Sequence, residues 1–142
     1  MSDITKIALV LVTFMAGFAA VLVVGGIRWL QDAGDDLRSE GAAVTAEAQD
    51  YAQDGTNQAC LDEALLRGSQ CDGMVCEVKT NQFLATCLAE SRPSPGFCAD
   101  VPDQGQMRAT VAWALGECSD VGFTDRSCTR LMQRVQEFCT AP

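Results

Sequence analysis

The residues best equipped for chemistry are eight cysteines, Cys60, Cys71, Cys76, Cys87, Cys98, Cys118, Cys128 and Cys139. Thiols of this kind can bind metal, exchange disulfides, act as nucleophiles, or pair into structural bridges. The rest of the chain narrows that choice. Histidine is absent, which removes the commonest general base, the usual haem ligand and any Cys-His or Ser-His pair. The closest cysteines, Cys71 and Cys76, stand five apart, so there is no CxxC couple for disulfide exchange. The C-x2–4-C couples of zinc sites occur at most once, as Cys71-x4-Cys76. Adjacent carboxylates (Asp62-Glu63, Asp35-Asp36) point in different directions on a helix, and no phosphate-binding loop is present. The expectation is four intramolecular disulfides with no free thiol, no metal, no cofactor and no catalysis.

Spacing says which elements must hold these cysteines. Cys60–Cys71, Cys76–Cys87, Cys87–Cys98 and Cys128–Cys139 are each eleven residues apart. Eleven residues make almost three helical turns, so both members of a pair share one face, ~16 Å apart. Helix signals coincide with that spacing. Thr56 caps a helix carrying Cys60, Ala64 and Leu65 and closed by Gly68. Asp72 caps one carrying Val75, Cys76, Phe83, Leu84, Cys87 and Leu88, ended by Pro93 and Pro95. Asp103 caps a third with Met107, Val111, Leu115 and Cys118. Thr124 caps a fourth, whose apolar face is Cys128, Leu131, Met132, Val135, Phe138 and Cys139. The fold class is therefore all-α, with a small domain of disulfide-stapled helical hairpins. Eight cysteines allow about a hundred complete pairings, but hairpin geometry ranks them. An antiparallel pair brings Cys60 to Cys87 and Cys71 to Cys76 across the turn at Asp72-Gly73. The same logic nests Cys118–Cys128 inside Cys98–Cys139.

Cys60, Cys71, Cys76 and Cys87 resemble the twin CX9C, coiled-coil-helix hairpins of the mitochondrial intermembrane space. They also resemble the disulfide-pinned hairpin of the acidic hinge protein of the cytochrome bc1 complex. The resemblance covers about 28 residues and lies in spacing, with ten intervening residues rather than nine. It implies a helical hairpin and, as a minor possibility, association with a respiratory complex.

Upstream of the cysteines, Ile7 to Ile27 is a run of 21 residues without a charge. A helix of about 20 apolar residues spans a bilayer, so residues 1–30 read as a single transmembrane anchor. The competing reading is a signal peptide cleaved near Ala16-Gly17-Phe18-Ala19-Ala20. It would release a secreted, disulfide-rich ligand-binding or inhibitory protein, but it leaves Val21-Leu22-Val23-Val24 at a free terminus. Disulfides persist only under oxidising conditions, which places the C-terminal domain on the periplasmic, intermembrane-space or extracellular side.

Residues 31–55 read as an acidic helical stalk, and 56–142 as the cysteine-rich domain. Apolar and small residues recur at Leu30, Ala33, Leu37, Gly41, Val44, Ala48 and Tyr51, close to a seven-residue repeat. Leu30, Leu37, Val44 and Tyr51 are the candidate interaction seam, for a neighbouring helix or a second copy. The net charge is −9, and residues 29–56 carry seven acids against Arg38 alone, which argues against nucleic acid as a partner. Arg126, Arg130 and Arg134 form a basic stripe on the last helix, suited to an acidic partner or to plain solvation. Trp113 and Phe123 fit either a core or a contact patch. The functional expectation is a non-catalytic, membrane-anchored interaction protein, an accessory subunit of a larger membrane complex.

Overall fold

The computed structural model describes the backbone of residues 3–141 and, before residue 41, only part of the side chains. Five helices are named among the described residues: α1 (Asp3–Asp54), α2 (Asn57–Ser69), α3 (Met74–Glu90), α4 (Met107–Asp120) and α5 (Arg126–Cys139). No strand is present among those residues; a single parallel bridge joins Thr56 to Arg92. The chain divides into two compact units, residues 1–40 and residues 41–142. Among the described residues no helix is long and apolar enough to cross a membrane, and most side chains of the first twenty residues of α1 lie outside the description.

Helices α2 and α3 form the first hairpin. Thr56 caps α2 as expected, in extended conformation with its hydroxyl accepting from the Ala59 N–H. Asn57 lies buried behind it and satisfies its amide on the last turn of α3 and the loop that follows. Its Nδ2 donates to the Leu88 carbonyl and to Ser91 Oγ, and its Oδ1 accepts from the Ser94 N–H. That clip fixes residues 91–94 against the start of α2. Cys60–Cys87 and Cys71–Cys76 then pin the two ends of the hairpin.

Two helix boundaries differ from the expectation. Gly68 does not close α2; it lies inside the helix, at a site with no room for a side chain. A Cβ there would stand 3.0 Å from Phe123 Cε1 and 3.2 Å from Leu131 Cδ1. Gln70 is the C-cap instead. The residue before α3 is Gly73 rather than Asp72, because the tight turn between the bonded cysteines needs φ of +99°, a region glycine occupies without strain.

The second pair of disulfides, Cys118–Cys128 and Cys98–Cys139, joins α4 to the start of α5 and the preceding loop to its end. No free cysteine remains. Helix α5 buries Cys128, Leu131, Met132 and Val135 as one face. These are positions three and four apart, the spacing of a core-facing helix. It packs against α2, α3 and α4, so it is the central element of the unit. Its N-cap is Asp125, one residue later than Thr124. Likewise α4 begins after Gln106; Asp103 instead closes a preceding turn, its carbonyl accepting from the Gln106 N–H and its carboxylate from Gln106 Nε2.

The buried face of α4 is the largest correction. Met107, Val111 and Leu115, grouped with Cys118 on this helix from sequence, are exposed, while Ala114 and Cys118 are buried. Residues four apart form ridges along a helix, and the ridge that meets α5 is Thr110, Ala114 and Cys118. Its residues are small, so α4 can lie close to the bulky side of α5. Gln136 reinforces that choice from α5: buried itself, its Nε2 donates to Thr110 Oγ1 and to the Pro102 carbonyl, each at 2.8 Å. Trp113 and Phe123 pack against the core, partly buried.

The last turns of α1 belong to this core. Ala48 and Ala52 are wholly buried and Val44 packs beside them, so the compact unit begins at Gly41, whereas the sequence reading drew its line after residue 55. Gln82 on α3 ties the two helices, its Nε2 donating to the Gly41 carbonyl and to Thr45 Oγ1. Helix α1 stops at Gly55, whose N–H donates to the Tyr51 carbonyl. A Cβ at Gly55 would stand 2.8 Å from that oxygen, so only glycine fits the approach.

Candidate interaction surface

The proposed seam separates into residues that the structure describes and residues it does not. Leu30 and Leu37 lie on the helical backbone of α1, with side chains outside the description. Val44 and Tyr51 are committed within the chain. Val44 packs on the core. The Tyr51 ring meets Phe83 edge-on at 5.7 Å, and its hydroxyl donates to the Ala59 carbonyl at 3.5 Å. The seven-residue stripe between Gly41 and Asp54 is therefore an intramolecular contact.

Phe83 also holds a cation. The Arg67 guanidinium carbon sits 3.9 Å from the ring centroid, a cation–π distance. Arg67 also bonds Glu47 on α1 at 2.8 Å and Glu63 on α2 at 2.7 Å. Partial burial opposes the charge, but the hydrogen bonds that Arg67 donates to Glu47 and Glu63 outweigh it, and the guanidinium is held more firmly protonated than usual. This cluster welds α1, α2 and α3. Beside it lies a groove of about 540 Å³ lined by Val44, Glu47, Arg67, Gln70, Val75 and Lys79 among others.

The basic stripe of α5 opens onto a second groove, of about 560 Å³, between α3 and α5. Arg130 pairs with Glu77 across the groove, and Arg134 pairs with Glu137 on its own helix at 2.7 Å. Arg126 is exposed and has no side-chain partner among the described residues. Two of the three cations are thus neutralised locally, and exposed pairs of this type contribute little, about 0–1 kcal/mol. The groove is a mixed polar surface (Asn81, Gln82, Gln133) with Val78 and Ala85 in its lining, not a basic cleft. Among the described residues no cluster of three or more acids or cysteines could hold a metal ion. Every buried side-chain nitrogen and oxygen among them has a hydrogen-bond partner.

One surface was missed from sequence. The outward side of α4 carries Met107, Val111 and Leu115, all more than half exposed, beside Ala112 and Gly116. A signal was available: α4 has apolar residues on every side, so after one face is buried another must remain exposed. Comparison with protein-family models, curated proteins and solved structures found no match to this chain.

Proposed function

We propose that this chain is a non-catalytic interaction protein, held to a membrane by residues 7–27 and presenting its disulfide-stapled unit on the oxidising side as an accessory subunit of a membrane complex. The observation that carries the reading is the sequence of two features: 21 uncharged residues, then a unit holding four disulfides. An uncharged stretch of that length is stable in hydrocarbon only as a helix whose backbone bonds are satisfied internally. Four bridges are stable only where thiols are not kept reduced. Together they support a membrane helix with an oxidising compartment beyond it.

The small unit gains rigidity from its bridges, since a core of this size stabilises a fold only marginally alone. A rigid head with shallow polar grooves and exposed apolar residues on α3 and α4 suits recognition of a protein surface better than enclosure of a small molecule. The positive-inside rule, with Lys6 before the run and Arg28 after it, adds nothing to orientation; the disulfides support an outward-facing C-terminal unit.

Two measurements test this reading together. Membrane fractions washed with alkaline carbonate should retain the chain at its full mass, and mild detergent should release it with a co-purifying subunit. A mature protein lacking roughly the first 20 residues would replace the anchor with the secreted alternative. A full-length chain that co-purifies with nothing would remove the accessory-subunit role.

A further inference from the structure

The outer surface of α4 is complementary to itself. Along a helix, residues four apart form parallel rows, and in α4 the row through Thr110, Ala114 and Cys118 faces α5. The row farthest from it is Arg108, Ala112, Gly116 and Asp120, and all four residues are exposed. Its ends carry opposite charges, ~18 Å apart at ~1.5 Å per residue. Its middle is small: a Cβ on Gly116 would meet nothing within 4 Å. Val111 and Leu115 stand along one side of the row, 53% and 54% exposed. Neither Arg108 nor Asp120 has an ion pair or side-chain hydrogen bond among the described residues.

We propose that a second copy of this chain docks on this face, with the two α4 helices antiparallel about a two-fold axis. Reversal of the row brings Ala112 opposite Gly116 and sets Arg108 of each copy against Asp120 of the other. The small middle lets the backbones approach, so Val111 and Leu115 of each copy cover the flank of the other helix. The antiparallel order also opposes the two helix dipoles favourably. A chain of net charge −9 repels its own copies at most orientations; this face is one where a positive end meets a negative end twice. A parallel arrangement would juxtapose like charges at both ends and is disfavoured. The contact is a single helix face, in the size class of weak and transient interfaces, and confinement to a membrane would strengthen it by raising effective concentration. The proposal deepens the interaction reading and does not depend on the anchor.

Charge exchange tests it in the full-length protein in detergent, by sedimentation from about 1 µM to 1 mM. The wild type should dimerise within that range. Arg108→Asp alone, or Asp120→Arg alone, should weaken dimerisation by about tenfold or more, because each places like charges at both ends. A mixture of the two single variants should associate with near wild-type affinity, since both ends are then paired again. The double variant Arg108→Asp/Asp120→Arg should do the same by itself. All are surface changes, and unlabelled cysteines after alkylation confirm that each variant is oxidised and folded. A wild type that remains monomeric at the highest concentration overturns the proposal, as do single variants that dimerise normally or a mixture that does not recover. If the substitutions left self-association unchanged but abolished capture of a different protein, the face would belong to that protein. The proposal would then fall while the interaction reading stood.

Discussion

Helices α4 and α5 are each 14 residues long, lie side by side, and share a disulfide, yet they use their apolar residues in opposite ways. In α5 the large residues Leu131, Met132 and Val135 are buried, Phe138 at its end is exposed, and the charged ones face water. In α4 the large residues Met107, Val111 and Leu115 are exposed, Trp113 is partly buried, and the ridge toward α5 is Thr110, Ala114 and Cys118, of which the last two are buried. The difference is one of available volume. Interiors are close-packed, and α5 already fills the space between the helices with bulky groups. The neighbour that fits beside it must offer small ones. Apolar residues displaced from a core in this way become surface.

Core truncation on α5 should give the largest contrast with α4. Leu131→Ala is expected to destabilise the oxidised chain by about 3 kcal/mol, from lost burial and the cavity left behind. Denaturant unfolding followed by circular dichroism measures it, and a loss below about 1 kcal/mol would show that α5 is not central. Next comes the bridge between the two helices. Replacing Cys118 and Cys128 by alanine opens a loop of 10 residues and should cost about 2.7 kcal/mol on the chain-entropy estimate. Loss of the 5-residue link Cys71–Cys76 should cost about 2 kcal/mol by the same relation. Equal or reversed losses would mean that the bridges act through native packing rather than through the unfolded chain.

A smaller effect is expected where α2 approaches the same crowded region. Gly68→Ala places a methyl 3.0 Å from Phe123 and 3.2 Å from Leu131, and should cost about 1–2 kcal/mol despite the better helix propensity of alanine. An increase in stability would show that Phe123 moves aside freely. The smallest change should come from the outer side of α4, where Leu115→Ser is expected to shift stability by less than about 0.5 kcal/mol. A loss comparable with that of Leu131→Ala would return Leu115 to the core.

Much of this arrangement was legible from residue types. The eleven-residue cysteine spacing indicated helices and ranked both nested bridge pairs, because helical geometry converts spacing into facing directions. The cap at Thr56 and the buried face of α5 from Cys128 to Val135 were equally plain, whereas Phe138, placed on the same face, is exposed. Other features depended on tertiary context. The repeat through Val44, Ala48 and Tyr51 read as a seam for an external partner, since periodicity reveals that a face is covered but not by what. Gly68 read as a helix stop, because the neighbours that forbid a side chain there come from residues 123 and 131. The orientation of α4 was hidden for a related reason. With apolar residues on all sides, its burial is decided by Gln136 and by the volume of α5, neither of which is local to it. The basic stripe at Arg126, Arg130 and Arg134 was correctly placed on the outer face of α5, but its neutralisation by Glu77 comes from another helix.

The claim that α4 and α5 turn their large apolar residues in opposite directions can be read from two methionines. Met107 on α4 is 79% exposed and Met132 on α5 is 1% exposed. Methionine is oxidised to its sulfoxide by peroxide in proportion to access. Brief peroxide treatment of dilute, monomeric protein, followed by peptide mass mapping, should convert Met107 rapidly and leave Met132 intact until the chain unfolds. Comparable oxidation of the two, or protection of Met107 with reaction at Met132, would contradict the account.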